Sequence, residues 1–236
     1  LPPRDERNPS WESVANKEAF DLKMAVYAAM IDRMDRNIGR LVATLESLGK
    51  LDDTLILFLS DNGGSSEHFN SFPEVPPGPM EGFHTVDAPW ANASNTPFRK
   101  YKGWNHEGGI CTPLIAFWPN SIEPGRIEGE PGHVIDIMPT CLELAGAAPP
   151  ETIKGRPVQP LEGRSLAPLF RGEQPAGREA IFWQYGQSRA VRQGDWKLAA
   201  NGAGPWELYD LSRDRNELDN LAARQAVAWA LDRRML

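Results

Sequence analysis

Two oxygen-bearing side chains follow a short apolar run in the first half of the chain. Asp61 and Asn62 come directly after Leu55–Leu59, five large apolar residues that leave no polar face. A carboxylate and an amide carbonyl are hard oxygen donors, which suit Ca²⁺ or Mg²⁺ better than a soft metal. A plain turn is the alternative, because Asp-Asn-Gly-Gly also favours a turn. The two residues alone leave both interpretations open.

A second group of polar side chains precedes another apolar run, Leu114–Trp118. Its members are Arg99, Lys100, Lys102, His106 and Glu107, followed by a pair of glycines that allows close backbone approach. Between the two groups lies a long, proline-rich stretch, residues 65–95, of the kind that often forms functional rims. It contains His68 and His84, each a candidate ligand or acid, although a surface loop histidine is the more common state.

Composition restricts the class of protein. The chain has 236 residues, 41% hydrophobic, with a formal net charge of −7 and a pI near 5.2. Such an acidic chain argues against a nucleic-acid or anionic-membrane partner, and no apolar run approaches the roughly 18 residues of a membrane span. Cys111 and Cys141 are too few for a disulfide scaffold, and two buried free thiols are expected, although one bridge stays possible.

The apolar runs and the periodicity before them predict an α/β fold. Leu55–Leu59 is typical of a strand buried on both faces, as in a parallel sheet covered by helices. The spacing of apolar residues predicts an amphipathic helix from about Asn16, its N-cap, to Leu48, with Gly49 ending it. The apolar stripe of that helix is expected to pack on the sheet. A second helix is predicted from its cap Asp136 to Ala145.

The pattern changes near Gly177. Short two-faced segments separated by glycine-containing turns predict an antiparallel sheet, and a closing helix is predicted at about 221–235. The segments are 180–185, 189–192, 196–199 and 206–211. We therefore predict two parts, an α/β region over residues 1–176 and a small α+β subdomain over residues 177–236.

Six segments in this order resemble the C-terminal half of a type I sulfatase, within the alkaline phosphatase superfamily. They are Tyr27–Gly39, Ser60–Gly63, Lys102 with His106–Gly109, His133–Thr140, Gly194–Leu198, and Glu207–Leu211 with Asn220–Ala222. Asn92–Phe98 is also similar in composition to bacterial arylsulfatases. The resemblance implies part of a mixed sheet with flanking helices, followed by a small antiparallel sheet and a helix.

The resemblance also implies chemistry for three residues. Asp61 and Asn62 match the family's divalent-metal pair, which usually holds Ca²⁺, and Lys102 matches the lysine that contacts the sulfate oxygens. A fixed positive charge there stabilises the anion as the ester bond breaks. His106 lies where the family more often has an aromatic residue, so we expect it to pack beside the Glu107-Gly-Gly turn and not to act in catalysis.

The family's nucleophile is not matched in this chain. It is a formylglycine made in a Cys/Ser-x-Pro-x-Arg motif, whereas Cys111-Thr-Pro-Leu-Ile115 has isoleucine in place of arginine and lies after Lys102. Leu1-Pro2-Pro3-Arg4 is neither an initiator methionine nor a leader, so we expect the chain to be part of something longer. Ca²⁺ takes about six to eight oxygen ligands, so metal binding by this chain alone is expected to be weak, and turnover unmeasurable.

The function predicted from these residues is sulfuric ester hydrolysis of the arylsulfatase kind, with a small-molecule sulfate ester as substrate. A phosphodiesterase or phosphonate hydrolase of the same superfamily, or a non-catalytic scaffold, are the alternatives. We expect self-association, or pairing with a missing N-terminal half, because an apolar strand with open edges needs neighbours. The expected compartment is a bacterial cytoplasm or periplasm.

Overall fold

The computed structural model describes residues 8–72, 74–175 and 177–221. Its first element is the long helix α1, Lys17–Ser47. Asn16 caps it, because its side-chain oxygen accepts a hydrogen bond from the backbone N–H of Ala19 at 3.1 Å. Gly49 follows the helix at φ +62°, the left-handed conformation that ends helices. The predicted helix and both of its boundaries are therefore confirmed.

Short helices and strands make up the rest of the described chain. In order they are β1 (Ile56–Leu59), α2 (Asp87–Ser94), α3 (Glu107–Ile110), β2 (Leu114–Phe117), α4 (Ile137–Leu144), β3 (Thr152–Ile153), β4 (Arg156–Pro157), α5 (Ala167–Phe170), β5 (Ile181–Tyr185), β6 (Ser188–Gln193), β7 (Trp196–Ala200) and β8 (Trp206–Asp210). No helix within the described ranges is long and apolar enough to cross a membrane.

Contacts divide the chain into two compact units. One contains the described residues of Leu1–Arg40, Ser60–Pro113 and Arg178–Leu236, and the other contains Leu41–Leu59 and Leu114–Gly177. The candidate residues Asp61, Asn62 and Lys102 all belong to the first unit. The predicted boundary at residue 176/177 stays a prediction.

The central apolar strand is not part of a parallel sheet in the described structure. β1 pairs antiparallel with β2, with Ile56 opposite Phe117 and Leu59 opposite Leu114. Phe58 is 42% exposed, so the strand is also not buried on both faces. The prediction failed because an apolar run indicates burial but not strand direction; direction is set by a partner more than fifty residues away.

Two further burial predictions are wrong. The apolar stripe of α1 was expected to pack on a sheet, yet Ile31, Met34, Leu41 and Leu48 are all exposed. Both cysteines are free as expected, but Cys141 is exposed instead of buried. Amphipathic spacing identifies the face that can be buried, whereas burial itself requires a covering element, and the described residues leave these four side chains at least 43% exposed.

The second unit has its own small core. Leu166, Leu169 and Phe170, on and beside α5, are at most 8% exposed and pack with apolar residues of β1, β2 and α4. The helix predicted from Asp136 is present as α4, and Asp136 occupies its N-cap position, but the Asp136 side chain makes no capping hydrogen bond to the first turn of α4. Its carboxylate instead accepts from the backbone N–H of His133 at 2.8 Å, which closes a capping box one turn earlier.

The C-terminal part is a four-stranded antiparallel sheet in the order β5-β6-β7-β8. Its strands fall where the alternation and the glycine turns predicted them. Val191, Leu198 and Leu208 form its apolar core, and Leu221 continues the pattern by bridging to Leu208. The closing helix predicted at about 221–235 lies almost wholly outside the described residues.

Candidate active site

Asp61 and Asn62 lie in an open segment directly after β1. β1 pairs with β2 across about fifty intervening residues, so the chain does not fold into a hairpin at the Asp-Asn step. Asp61 is exposed and Asn62 half-buried. The next residue is fixed, because the N–H of Gly63 donates to the carbonyl of Gly109 at 3.0 Å. The two oxygen donors therefore project from a segment whose backbone is held.

Asn95 connects this segment to the loop that carries Lys102. Its side-chain oxygen accepts from the N–H of Gly64 at 3.0 Å. Its amide nitrogen donates to the carbonyls of Gly108 at 2.8 Å and Lys100 at 3.1 Å. One half-buried amide thus joins three backbone segments, which explains why an asparagine stands within the arylsulfatase-like stretch Asn92–Phe98.

Lys102 lies beside the Asp61 segment. Its backbone N–H donates to the carbonyl of Gly64 at 3.0 Å, and its ammonium group donates to Glu67 at 3.0 Å. The hydrogen bond and charge of Glu67 raise the pKa of Lys102, and the negative charge of Asp61 adds to the same effect. Lys102 and Asp61, both predicted as site residues, therefore lie close enough for their charges to interact.

His106 is a packing residue, as the sequence predicted. It is 3% exposed, its ring meets Trp104 and Tyr209 edge-on, and its Nε2 lies 2.7 Å from Glu207. Hydrogen bonding to His106 is the largest cause that lowers the pKa of Glu207, to about 2, against the opposing effect of burial. Tyr209 donates to the same carboxylate at 2.6 Å. His106 is thus fixed to β8.

A buried charge cluster fixes the neighbouring Glu107. The ammonium group of Lys197, on β7, lies 2.8 Å from Glu107 and 2.7 Å from Glu217, and all three residues are at most 2% exposed. The other oxygen of Glu217 accepts from the backbone N–H of Glu107 at 2.7 Å, and Arg215 reaches Glu107 at 3.2 Å. Burial would raise the pKa of Glu107, but Lys197 above all, and Arg215, hold it below its ordinary value.

The other candidate residues, His84, Cys111 and His68, differ in their contacts. His84 lies 2.7 Å from the carbonyl of Val75, which is a structural contact. Cys111 is half-buried. Burial and the charge of Glu107 raise its thiol pKa despite Arg215, so it is a poor nucleophile. His68 lies 2.9 Å from the carboxylate of Asp87.

Sequence reasoning missed Lys197, Glu217 and Asp87. Lys197 lies within a short two-faced strand, where a lysine is expected to face solvent. Glu217 and Asp87 lie outside any periodic pattern, at φ +58° and +65°. The only sequence signal was the Glu107-Gly-Gly turn, because glycines that permit close approach also permit burial of the charge beside them.

Comparison with known proteins agrees with this fold. Residues 4–147 match the family model described as Sulfatase, and residues 100–235 match the model described as N-sulphoglucosamine sulphohydrolase, C-terminal. The chain belongs to the sulfatase family, and its fold is that of the alkaline-phosphatase-like sulfatases.

Particular relatives extend well beyond this chain. An uncharacterised sulfatase of Schizosaccharomyces pombe is 36% identical over 236 residues, covering 90% of this chain and 43% of the yeast protein. The arylsulfatase of Klebsiella aerogenes is 34% identical over 184 residues, covering 71% of this chain and 39% of the enzyme. The crystal structure of Ps i-CgsB with k-i-k-neocarrahexaose superposes with a TM-score of 0.64 at 26% identity, covering 87% of this chain and 40% of that one.

Proposed function

We propose that the protein containing this chain hydrolyses sulfuric esters, with the chain supplying one part of the active site. Asp61 and Asn62 would hold a divalent cation, and Lys102 would bind the sulfate oxygens. The observation that carries the proposal is the hydrogen bond between the backbones of Lys102 and Gly64, which holds the lysine beside the Asp61 segment. A cation and an ammonium group on one side of a sulfate would stabilise the negative charge that develops as the ester bond breaks.

Asp61 and Asn62 are the kind of oxygen ligand that Ca²⁺ or Mg²⁺ prefers, but two side chains are fewer ligands than either ion requires. Asp61 and Asn62 are oxygen donors with accessible side chains, and within the described ranges no three His, Cys, Asp or Glu residues form a metal-binding group. Ca²⁺ requires about six to eight oxygen ligands. Asp61 and Asn62 would supply only two of these ligands, so we expect the chain alone to bind the ion weakly. When bound, the ion would neutralise charge on the ester.

Lys102 is already paired in this structure. Glu67 holds its ammonium group charged, and both side chains are accessible to solvent. A sulfate ester would replace this carboxylate with its own anionic oxygen. Cys111 lacks the arginine of the formylglycine motif and has a raised thiol pKa, so the nucleophile would lie elsewhere, and we propose that this chain alone does not turn over.

Turnover of 4-nitrophenyl sulfate by the longest available form of the protein tests the proposal. Lys102→Ala is expected to lower kcat by about 10²–10³-fold, as the loss of one preorganised charge at a reacting centre does. Lys50→Ala, which removes an exposed lysine elsewhere, is the matched control. Equal turnover in the two variants would refute the assignment of Lys102 to sulfate binding. Turnover by residues 1–236 alone would refute the proposal that this chain supplies only part of the active site.

The superfamily's two-metal phosphodiesterases and phosphonate hydrolases are the alternative. Asn62 disfavours them, because a second, zinc-type ion prefers imidazole and this position carries an amide. Paired aryl sulfate and aryl phosphate substrates separate the two, with faster sulfate hydrolysis expected. The similarity to the Klebsiella arylsulfatase supports sulfate esters over phosphate esters as the substrates. For the compartment we propose a bacterial cytoplasm or periplasm.

A further inference from the structure

A second polar cluster lies in the same unit as Lys102. The carboxylate of Asp87 accepts hydrogen bonds from His68 Nδ1 and from the hydroxyl of Thr85, each at 2.9 Å. Its other oxygen is paired with the ammonium group of Lys23. Asp87 is 5% exposed and has φ +65°, a conformation that costs free energy in a non-glycine residue. The surrounding structure therefore holds this carboxylate in place.

The hydrogen bond to Asp87 determines which ring nitrogen of His68 faces the carboxylate. Burial would raise the pKa of Asp87, but the hydrogen bonds from Lys23, His68 and Thr85 outweigh it, and the pKa lies below its ordinary value. An ionised carboxylate can only accept, so Nδ1 of His68 carries the proton. In the neutral ring, Nε2 then presents a lone pair. The side chain is 80% exposed, which leaves Nε2 accessible to a ligand.

His68 forms part of the wall of a groove of about 400 Å³. Pro9, Phe20 and Pro89 supply apolar walls, and Ser66 adds a hydroxyl. The volume is within the roughly 300–1,000 Å³ of small-molecule sites, which combine apolar walls with a few placed polar groups. His68 directly follows Glu67, whose carboxylate is bonded to Lys102, so one chain segment contributes to both the groove and the candidate sulfate site.

We propose that this groove binds the alcohol part of the sulfate ester, and that a hydroxyl of this alcohol donates to Nε2 of His68. The proposal rests on sulfuric ester hydrolysis as the function. It favours a hydroxyl-bearing ring, such as a sugar, because a lone pair beside apolar walls matches a ring with hydroxyls at its edge and C–H groups on its face. The charge of Lys23 is neutralised by Asp87, so this lysine does not make the groove a second sulfate site.

Histidine NMR on the full chain tests the groove without requiring turnover. The sequence contains four histidines, so the His68 ring signals can be assigned with His68→Phe. Added methyl galactoside, which carries no sulfate, is expected to shift the His68 signals with a millimolar dissociation constant. Cyclohexylmethanol, which lacks the ring hydroxyls, is expected to shift them much less. Equal shifts with both probes, or no shift with either, would overturn the proposal.

Steady-state kinetics on a sugar sulfate supply an independent test. With galactose 6-sulfate, His68→Phe is expected to raise KM about 3–10-fold, the effect of one net hydrogen bond, and to change kcat little. His68→Gln, which keeps an acceptor near Nε2, should restore most of the affinity. His133→Phe is the matched control, because His133 does not line the groove. A fall in kcat at constant KM, or no rescue by glutamine, would contradict this binding site.

The two proposals fail in different ways. If the longer protein that contains this chain hydrolyses neither 4-nitrophenyl sulfate nor galactose 6-sulfate, sulfuric ester hydrolysis is refuted, and galactoside binding at His68 is still measured by NMR on residues 1–236. If sulfates are hydrolysed but neither the NMR titration nor KM responds to His68, only the alcohol subsite is refuted.

Discussion

Replacing Lys197 by methionine should destabilise the protein strongly and make the loss depend on pH. The ammonium group lies 2.8 Å from Glu107 and 2.7 Å from Glu217, and none of the three residues is more than 2% exposed. Methionine keeps much of the volume but leaves two buried carboxylates facing each other. Removing one partner of a buried ion pair costs about 3–5 kcal/mol, a large share of the 5–15 kcal/mol of a typical domain.

The sign of the pH dependence distinguishes this explanation from simple loss of packing. In the wild type, the pKa of Glu107 lies below its ordinary 4.5, so its contribution to stability is present above pH 4.5 and lost as pH falls. Without Lys197, burial is less opposed, and the pKa of Glu107 is expected to rise above 4.5. Its contribution is then retained below pH 4.5 and lost as pH rises. The variant should therefore be most destabilised near neutrality.

Urea unfolding followed by circular dichroism, at pH 7 and near pH 4.5, measures both effects. Lys50→Met is the matched control, since this lysine is exposed and its replacement should change the unfolding free energy by less than about 0.5 kcal/mol. A loss below about 1 kcal/mol in Lys197→Met at pH 7 would refute the reasoning. So would an equal loss at both pH values, because the cost would then not come from ionised carboxylates.

Three other predictions concern neighbouring features. Because the pKa of Glu207 is about 2 instead of 4.5, the ionised carboxylate contributes up to about 3 kcal/mol to the unfolding free energy above pH 4.5, and this contribution is lost as the pH falls to about 2. Glu207→Gln should therefore make the unfolding free energy less dependent on pH in that range. An unchanged slope in this variant would contradict the prediction. Asn95→Ala should lower the unfolding free energy measured with urea by about 2–3 kcal/mol, because two backbone carbonyls and one N–H lose their hydrogen-bond partner. The control Ser94→Ala, at an exposed position, should lower it by less than about 0.5 kcal/mol. Equal losses in the two variants would contradict the role of Asn95 in joining the three backbone segments. We also expect light scattering at micromolar concentration to show self-association of the chain, driven by exposed apolar side chains such as Phe58 and Leu41, and a monomer would contradict it.

Local patterns predicted the local structure well. Asn16 and Gly49 bound α1 as expected, and the glycine turns after residue 177 correctly divided the four-stranded sheet. These features depend on neighbours within a few residues, so their signals are present in the sequence itself. The direction of β1 depends on β2, and the exposure of the α1 stripe depends on which element covers it. No local pattern carries that information.

The candidate site shows the same division between local and distant information. Resemblance to a family supplied Asp61, Asn62 and Lys102, and the structure places Lys102 beside the Asp61 segment. The partners that hold this neighbourhood were not predicted. Lys197 is separated by ninety residues from Glu107, and a lysine on a strand gives no sign that it is buried.

The C-terminal sheet contacts residues that follow Lys102 closely in the sequence, although the contacting residues of the sheet lie at least ninety residues further along the chain. Lys197 on β7 and Glu207 on β8 hold Glu107 and His106, and these residues lie only four and five positions after Lys102. Removing one partner of such a buried ion pair leaves the other charge uncompensated, so we expect a change within the sheet to disturb the loop that carries Lys102. We therefore predict that a stability defect at Lys197 is accompanied by a loss of sulfate-ester affinity.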